Sequence, residues 1–342
     1  MPDRDLLVLS EEPLNAETKL GERTGTITPA GSHYVRTHFP LPHAPREIAV
    51  DGAVERPISI TFDEVRALPA RTLAVTLECA GNGRRYLDPK APGEQWGLGA
   101  VGTAEWTGTP LGALLERVAP NPKAVEVLFR GADEGIPKDL GRHIAYERAL
   151  PVADALSDDV LVTYLMNGEP IPPEHGGPLR LVVPGWYGMA SVKWLARITL
   201  LDRPFVGFYQ TDRYVLDGSP LRTIRPRAIL TYPQDGTRHE RAIWIAGFAW
   251  SGAAPIARVD VSTDGGQSWA KIPDAFLEGS PRYAWRHFRF ENLLTKGLGV
   301  KHLSLAVRAT DVLGNTQPLE PQWNRLGYAN NAARPVRIRL GS

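Results

Sequence analysis

A single cysteine, Cys79, stands in a chain of 342 residues, and that count alone removes whole classes of fold. No intrachain disulfide can close, so a cystine-stapled scaffold is excluded. So is any CxxC zinc site, iron–sulfur cluster or CxxCH haem attachment, since each needs more than one thiol. The chain must therefore hold itself together by burial, and its length allows that: at roughly 100–200 residues per domain, two domains are expected, each with its own core. The 39 Lys and Arg against 38 Asp and Glu give a formal charge of only +1. With no acidic or basic tail, this argues against a nucleic-acid or membrane-surface binder. No run approaches the ~18 uninterrupted apolar residues of a membrane span. The opening MPDRDLLVLSEEP carries only the apolar run Leu6 to Leu9 between charges. It does not read as a secretory leader, so a cytoplasmic protein is expected, periplasmic only if a leader was removed.

The 33 Gly and 30 Pro point to a loop-rich, mainly β or mixed protein. Its first ~20 residues are polar and read as an arm or edge. Leu73, Val75, Leu77 and Cys79 alternate with Thr72, Ala74, Thr76 and Glu78, the pattern of a half-buried strand that delivers Cys79 into the turn Gly81-Asn82-Gly83. Residues 109–119 read as a helix with Thr109 as N-cap, Pro110 in first position and Leu111, Leu114, Leu115 and Val118 on one stripe. Strands are expected at 178–184 and 194–202. Strands and helices mingle without a βαβ repeat, so the fold class expected up to residue 221 is α+β. Arg222 to Pro226 reads as a linker. Beyond it, short strands at 242–250, 256–262, 282–290 and 303–310, with turns at Asp264-Gly265-Gly266 and Gly314-Asn315, predict a β-sandwich over 222–342. Trp186, Tyr187, Trp244 and Trp250 are read as core or interface residues.

A lone cysteine is most often a small buried hydrophobe. Cys79, however, sits at a strand end before a glycine turn, where a fold presents side chains. Arg84 and Arg85 nearby would favour the thiolate. Two chemistries follow. Cys79 could be a nucleophile with His38 or His175 as its base, or a single thiolate ligand to a soft metal whose other ligands come from a cofactor. Of the 39 basic residues 31 are Arg; codon bias accounts for such a ratio, and planar guanidinium forks for oxyanions would do so as well.

Glu78-Cys79-Ala80-Gly81-Asn82-Gly83-Arg84-Arg85 resembles the Cys-Ala-Gly-Asn signature of the sulfite oxidase family. Further segments match in the family's order: Tyr34-Val35-Arg36-Thr37-His38, Gln95-Trp96, Met166-Asn167-Gly168, His175-Gly176-Gly177-Pro178-Leu179-Arg180, Ser191-Val192-Lys193-Trp194 and Gln210 through Tyr214. Asp264-Gly265-Gly266-Gln267-Ser268-Trp269 and Trp323-Asn324 match in the second half, so the resemblance covers nearly the whole chain. It implies a molybdopterin domain at 1–221 and an immunoglobulin-like dimerisation domain at 222–342, with molybdenum and molybdopterin as cofactors. Cys79 is then the metal ligand. Tyr34, Val35, Arg36, Thr37, His38, Asp133, His175, Arg180, Ser191, Val192 and Lys193 hold the pterin and its phosphate, and Arg36, Arg84, Trp96 and Tyr214 form the substrate pocket. The chain departs from the family near its end. Where several members read Trp-Asn-Leu-Arg-Gly, it reads Trp323-Asn324-Arg325-Leu326-Gly327, which puts a third pocket arginine in doubt.

The expected activity is oxidation of sulfite to sulfate. The expected partners are a small oxyanion substrate, a second copy in a homodimer and an external electron acceptor, with a cytochrome c as candidate, because the two domains leave no room for a haem domain. Nitrate reductase and methionine-sulfoxide reductase chemistries are the neighbouring alternatives, and a cofactor-free binding protein is the non-enzymatic one.

Overall fold

Arg71–Glu78 is a strand, exposed at its start and buried on both faces from Val75 onward rather than half-buried as its alternation predicts; it runs antiparallel to Val101–Pro110, in register from Arg71 opposite Gly108 to Glu78 opposite Val101. The structure, a computed structural model, describes residues 5–21, 25–239, 242–279, 281–294 and 301–340. Val101–Pro110 continues the sheet to Leu161–Met166, which also pairs with Arg180–Val182 and, through the Asn167-Gly168 turn, with Glu169–Pro170. A second five-stranded sheet runs in the order Ile58–Thr61, Glu47–Gly52, Leu195–Leu201, Glu126–Gly135, Ile144–Pro151. Its Glu47–Gly52 and Leu195–Leu201 strands are parallel and the other pairs antiparallel. Between the sheets lies an apolar core that includes Ile48, Val50, Val101, Leu114, Phe129, Val162, Leu181 and Ile198. The mixture of strands and short helices is the α+β class expected.

The expected N-terminal arm is corrected. Residues 1–4 lie outside the described part, but Leu6–Ser10, Asn15–Thr18 and Val35–Arg36 form a three-stranded sheet, and Asn15–Thr18 is buried throughout. The Glu17 carboxylate accepts the backbone N–H groups of Gly97 and Gly99, so polarity there marks an internal anchor. The expected helix 109–119 also shortens, to Leu111–Glu116. Thr109 belongs to the preceding strand and its hydroxyl donates to the Val65 carbonyl. No side chain caps the helix, and Pro110 turns the chain into it.

Beyond residue 226 the regular elements among the described residues are strands, apart from one short turn of helix at Asp274–Phe276. Arg227–Tyr232, Ala242–Trp250 and Arg286–Leu294 form one sheet. Arg238–His239, Val336–Leu340, His302–Asp311, Ile256–Ser262 and Ala270–Lys271 form the other. Ala228, Ile243, Ile245, Val259, Phe288, Leu305, Val307 and Ile338 fill the space between them, which is the packing of a β-sandwich. Two expected strands match to the residue, at 242–250 and 256–262. The strand expected at 282–290 begins only at Arg286, because residues 282–285 bend across the first sheet, where the Trp285 N–H donates to the Thr76 hydroxyl.

Candidate active site

Cys79 follows the last residue of Arg71–Glu78, and the chain turns at once: Asn82 N–H donates to the Cys79 carbonyl at 2.9 Å and Arg84 N–H to that of Gly81 at 3.0 Å. The Asn82 side chain fixes the turn to both flanking strands, donating to Glu78 Oε1 at 3.0 Å and accepting from Ala100 N–H at 3.2 Å. A polar residue at the turn thus does structural work, and the thiol sits on a rigid platform. Cys79 is buried. Burial pushes its thiol above the ordinary range despite the opposing fields of Arg36 and Arg84, so the expectation that adjacent arginines alone favour the thiolate is corrected. Arg85 is exposed and turns its Nε to the Gln95 carbonyl.

Cys79 opens on a cavity lined among others by His33, Tyr34, Val35, Arg36, His38, Asp133, His175, Arg180, Ser191, Lys193 and Tyr214. Segments far apart in sequence converge here because Val35–Arg36 pairs with the buried Asn15–Thr18 strand and Ser191 to Lys193 precede the strand Leu195–Leu201. Arg180 is buried and donates from Nη1 to the His175 carbonyl at 2.6 Å and from Nη2 to that of Ser191 at 3.0 Å. Arg36 donates from Nη1 to Asn15 Oδ1 at 2.9 Å and to the Thr37 carbonyl at 2.8 Å. Lys193 Nζ reaches the Thr37 hydroxyl at 3.2 Å and the Glu174 carbonyl at 3.0 Å, beneath a face of Trp194. Arg180 and Lys193 lean on neutral oxygens and burial lowers both, whereas the fields of Tyr214 and Cys79 hold Arg36 above its ordinary value despite burial. Lys193 responds by falling to about 7, chiefly through burial.

The imidazoles are neutral. Burial lowers His33 to about 4 and takes His38 and His175 well below their usual range. His38 Nε2 meets Tyr214 Oη at 2.6 Å and His175 Nε2 donates to the Ala30 carbonyl at 3.0 Å, so both candidate bases for a cysteine nucleophile are engaged elsewhere. Burial raises Asp133 to about 6, and its Oδ1 has no hydrogen-bond partner. Gly176, at φ +98°, lies where a Cβ would stand 2.6 Å from Lys193 Cβ, so only glycine lets that lysine enter.

Other expected residues lie just behind this wall. Thr37 touches the site through Lys193, and Val192 is core. Arg84 is buried, with Nε on the Leu326 carbonyl at 3.3 Å, Nη1 on that of Glu94 at 2.9 Å and its guanidinium 5.2 Å from the centre of the Tyr328 ring. Trp96, expected in the substrate pocket, is fully buried in the apolar layer with Leu77, Cys79 and Tyr34 and does not line the cavity. Arg325 is exposed. Tyr328 is buried instead, stacked on Tyr214 at 5.1 Å between ring centres without itself lining the cavity. His33 and Tyr328 escaped the sequence reading; the histidine beside Tyr34 was the available signal for the first, while the second depends on a C-terminal segment folding back.

Residues 38–209 match the model of the oxidoreductase molybdopterin binding domain, and residues 223–340 that of the Mo-co oxidoreductase dimerisation domain. The chain belongs to the sulfite oxidase family of molybdenum enzymes. It is 32% identical to mouse mitochondrial sulfite oxidase over 98% of its own length and 66% of that protein. It is also 32% identical to the NADH nitrate reductase of Solanum lycopersicum, over 96% of its length but 40% of the relative's. The chain thus spans less than two thirds of these relatives. The sulfane dehydrogenase SoxCD of Paracoccus pantotrophus superposes with a TM-score of 0.81 at 28% identity, over 96% of this chain and 85% of that one.

Membership makes the protein a molybdenum-dependent oxidoreductase with molybdenum and molybdopterin as cofactors, and the cavity suits them. Buried Arg180 and half-buried Arg36 and Lys193 want an anion such as a phosphate, and the unpartnered Asp133 oxygen wants a donor of the kind a pterin edge carries. Among the described residues no group of three His, Cys, Asp or Glu side chains could hold a metal by itself, whereas one buried thiol fits a metal that brings its remaining ligands. No described helix is long and apolar enough to cross a membrane.

Proposed function

We propose that this enzyme oxidises sulfite to sulfate by oxygen-atom transfer. Sulfite and water give sulfate, two protons and two electrons, and the electrons pass to an external acceptor such as a cytochrome c. The observation that carries the reading is a buried thiol opening on a cavity whose permanent cations lack carboxylate partners. Molybdenum held by Cys79 and the pterin supplies the two-electron oxygen transfer. Tyr34, Val35, Arg36, Thr37, His38, Asp133, His175, Arg180, Ser191, Val192 and Lys193 hold the pterin and phosphate, Thr37 and Val192 by positioning their neighbours. Arg36 and Tyr214 face the substrate, with Arg84 behind Tyr328 adding positive field and Trp96 supporting Cys79 from below. In a dry site such charges act at low dielectric and need no reorganisation. Residues 222–342 form a two-fold dimer interface with a second copy; light scattering at twice the 37.5 kDa of one chain is expected, and a monomer would contradict it.

A sulfur substrate of lower charge is the second reading, favoured by Arg325 being exposed while an uncharged residue, Tyr328, is the one stacked on Tyr214. Molybdenum-replete protein offered sulfite, an uncharged sulfur compound such as dimethyl sulfide, nitrate and methionine sulfoxide, with artificial acceptor or donor, separates these. Sulfite-dependent acceptor reduction is expected. Turnover of nitrate with silence on both sulfur donors would overturn the proposal.

A further inference from the structure

The turn that carries Cys79 is fastened by residues that follow position 222. Glu78, immediately before Cys79, is buried, and its carboxylate accepts Arg227 Nη1 at 2.6 Å and Trp250 Nε1 at 2.8 Å. Arg227 opens the first strand of the sandwich and Trp250 closes the strand paired with it, directly opposite Arg227. Arg227 Nη2 also donates to the carbonyls of Asn82 and Asn330. From the C-terminal segment, Ala329 N–H donates to the Ala80 carbonyl at 2.8 Å and Asn330 Nδ2 to that of Gly83 at 2.8 Å. Leu326 accepts from Arg84 at 3.3 Å. Glu78, Ala80, Asn82, Gly83 and Arg84 are therefore each tied to the second half of the chain, and Cys79 rides between them. Gly83, at φ +83°, lets this happen: a Cβ there would stand 2.8 Å from Arg227 Nη2.

We propose that Glu78, Arg227 and Trp250 are positioning residues for the metal, through which the sandwich sets the direction of the Cys79 sulfur. Surface ion pairs are too weak and mobile to set a side chain's direction. This one has side chains 1% and 3% exposed; Glu78 also accepts from Trp250 and Asn82, and Arg227 Nη2 donates to two carbonyls while its Nε stays unpaired, so several bonds hold the pair in one geometry. The Glu78 backbone passes that geometry directly to Cys79. Groups that orient a metal ligand without touching the metal typically change affinity or turnover by about 10- to 100-fold when removed.

The inference rests on Cys79 being the metal ligand, and the test separates the two claims. The readouts are the sulfur-to-molybdenum charge-transfer absorption of the oxidised holoenzyme and kcat per bound molybdenum. Cys79→Ser should remove the absorption band; if the band persists, the ligand assignment itself fails. Glu78→Gln and Arg227→Met should shift the band and lower kcat per molybdenum or molybdenum retention by roughly 10- to 100-fold, with KM within about twofold. Trp250→Phe removes one donor and keeps an aromatic core residue, so it provides a folded variant in which a smaller shift in the same direction is expected. Arg227→Lys keeps the charge on Glu78 and should restore part of the band position. If Cys79→Ser loses the band while Trp250→Phe and every other folded variant keep the wild-type band and kcat per molybdenum, the residues are structural only and the inference is overturned.

Discussion

Arg227 and Glu78 meet at 2.6 Å with almost no solvent access to either side chain, which makes them an interior ion pair between the two halves of the chain. Removing one partner strands the other's charge, at a cost of about 3–5 kcal/mol, whereas replacing both by neutral groups is often close to neutral. Arg227→Met should therefore lower the urea midpoint sharply, and the double variant Glu78→Gln/Arg227→Met should regain most of the loss. Equal midpoints for wild type and Arg227→Met would show that the pair contributes nothing to stability.

Cys79→Ser changes one buried atom and leaves the turn's hydrogen bonds, which are made by backbone and Asn82, in place. The fold should survive within about 1–2 kcal/mol. Turnover per molybdenum should fall by at least about 100-fold, since a neutral hydroxyl is a poor substitute for a soft thiolate ligand. Metal analysis, circular dichroism and steady-state rates on one preparation check the three statements together.

The buried imidazoles give a pH signature in cofactor-free protein. His33 falls from its ordinary 6.5 to about 4 through burial, and His38 and His175 are taken well below their usual range by the same first cause. Between pH 4 and 6.5 the unfolded chain therefore binds protons that the folded one refuses, so stability rises with pH across that window and is lost as pH falls through it. Each such proton is worth about 1.4 kcal/mol per pH unit at full effect. Asp133, raised to about 6 by burial, acts in the opposite direction and offsets about one histidine. His33→Gln should remove part of the acid-side slope and Asp133→Asn should steepen it; an unchanged slope in both would refute the assignment.

What the sequence made legible follows from the range of the interactions involved. Alternation is local, so the strand ending at Glu78 and the sandwich strands Ala242–Trp250 and Ile256–Ser262 could be read directly. The helix Phe62–Arg66 carries a capping box between Thr61 and Glu64 that was there to be read and went unused. Glu17 was beyond reach: a charged residue in a polar stretch looks exposed until the amides of Gly97 and Gly99 are placed against it. The same holds for Glu78, two of whose three partners lie 149 and 172 positions away. Arg36 and Tyr214 face the cavity as the motif order suggested, but Trp96 does not, since a motif fixes the order of segments and not which side of a strand an indole packs against.

The two arginines expected to bind substrate are not equivalent in place, and their variants should differ. Arg36 lines the cavity with only Nη1 committed to described oxygens, Asn15 Oδ1 and the Thr37 carbonyl. Arg84 lies behind Tyr328, holding the Leu326 and Glu94 carbonyls. A hydrogen bond to a charged group contributes about 1.5–3 kcal/mol, so Arg36→Met should lower kcat/KM for sulfite by roughly 10- to 150-fold. Arg84→Met removes field at a distance and two ties to the C-terminal segment and the 94–95 turn; a fall of less than about 10-fold in kcat/KM is expected, with a lower thermal midpoint. Arg36→Met should lose some molybdenum as well, because the same guanidinium borders the pterin segment, and rates must be normalised to bound metal. If the contact is equal in ground and transition states the loss appears in KM; if it strengthens as sulfate forms, it appears in kcat. Wild-type kcat/KM for sulfite in Arg36→Met would remove the oxyanion-pocket argument, and a larger loss in Arg84→Met than in Arg36→Met would mean that Arg84 turns toward the substrate when it binds.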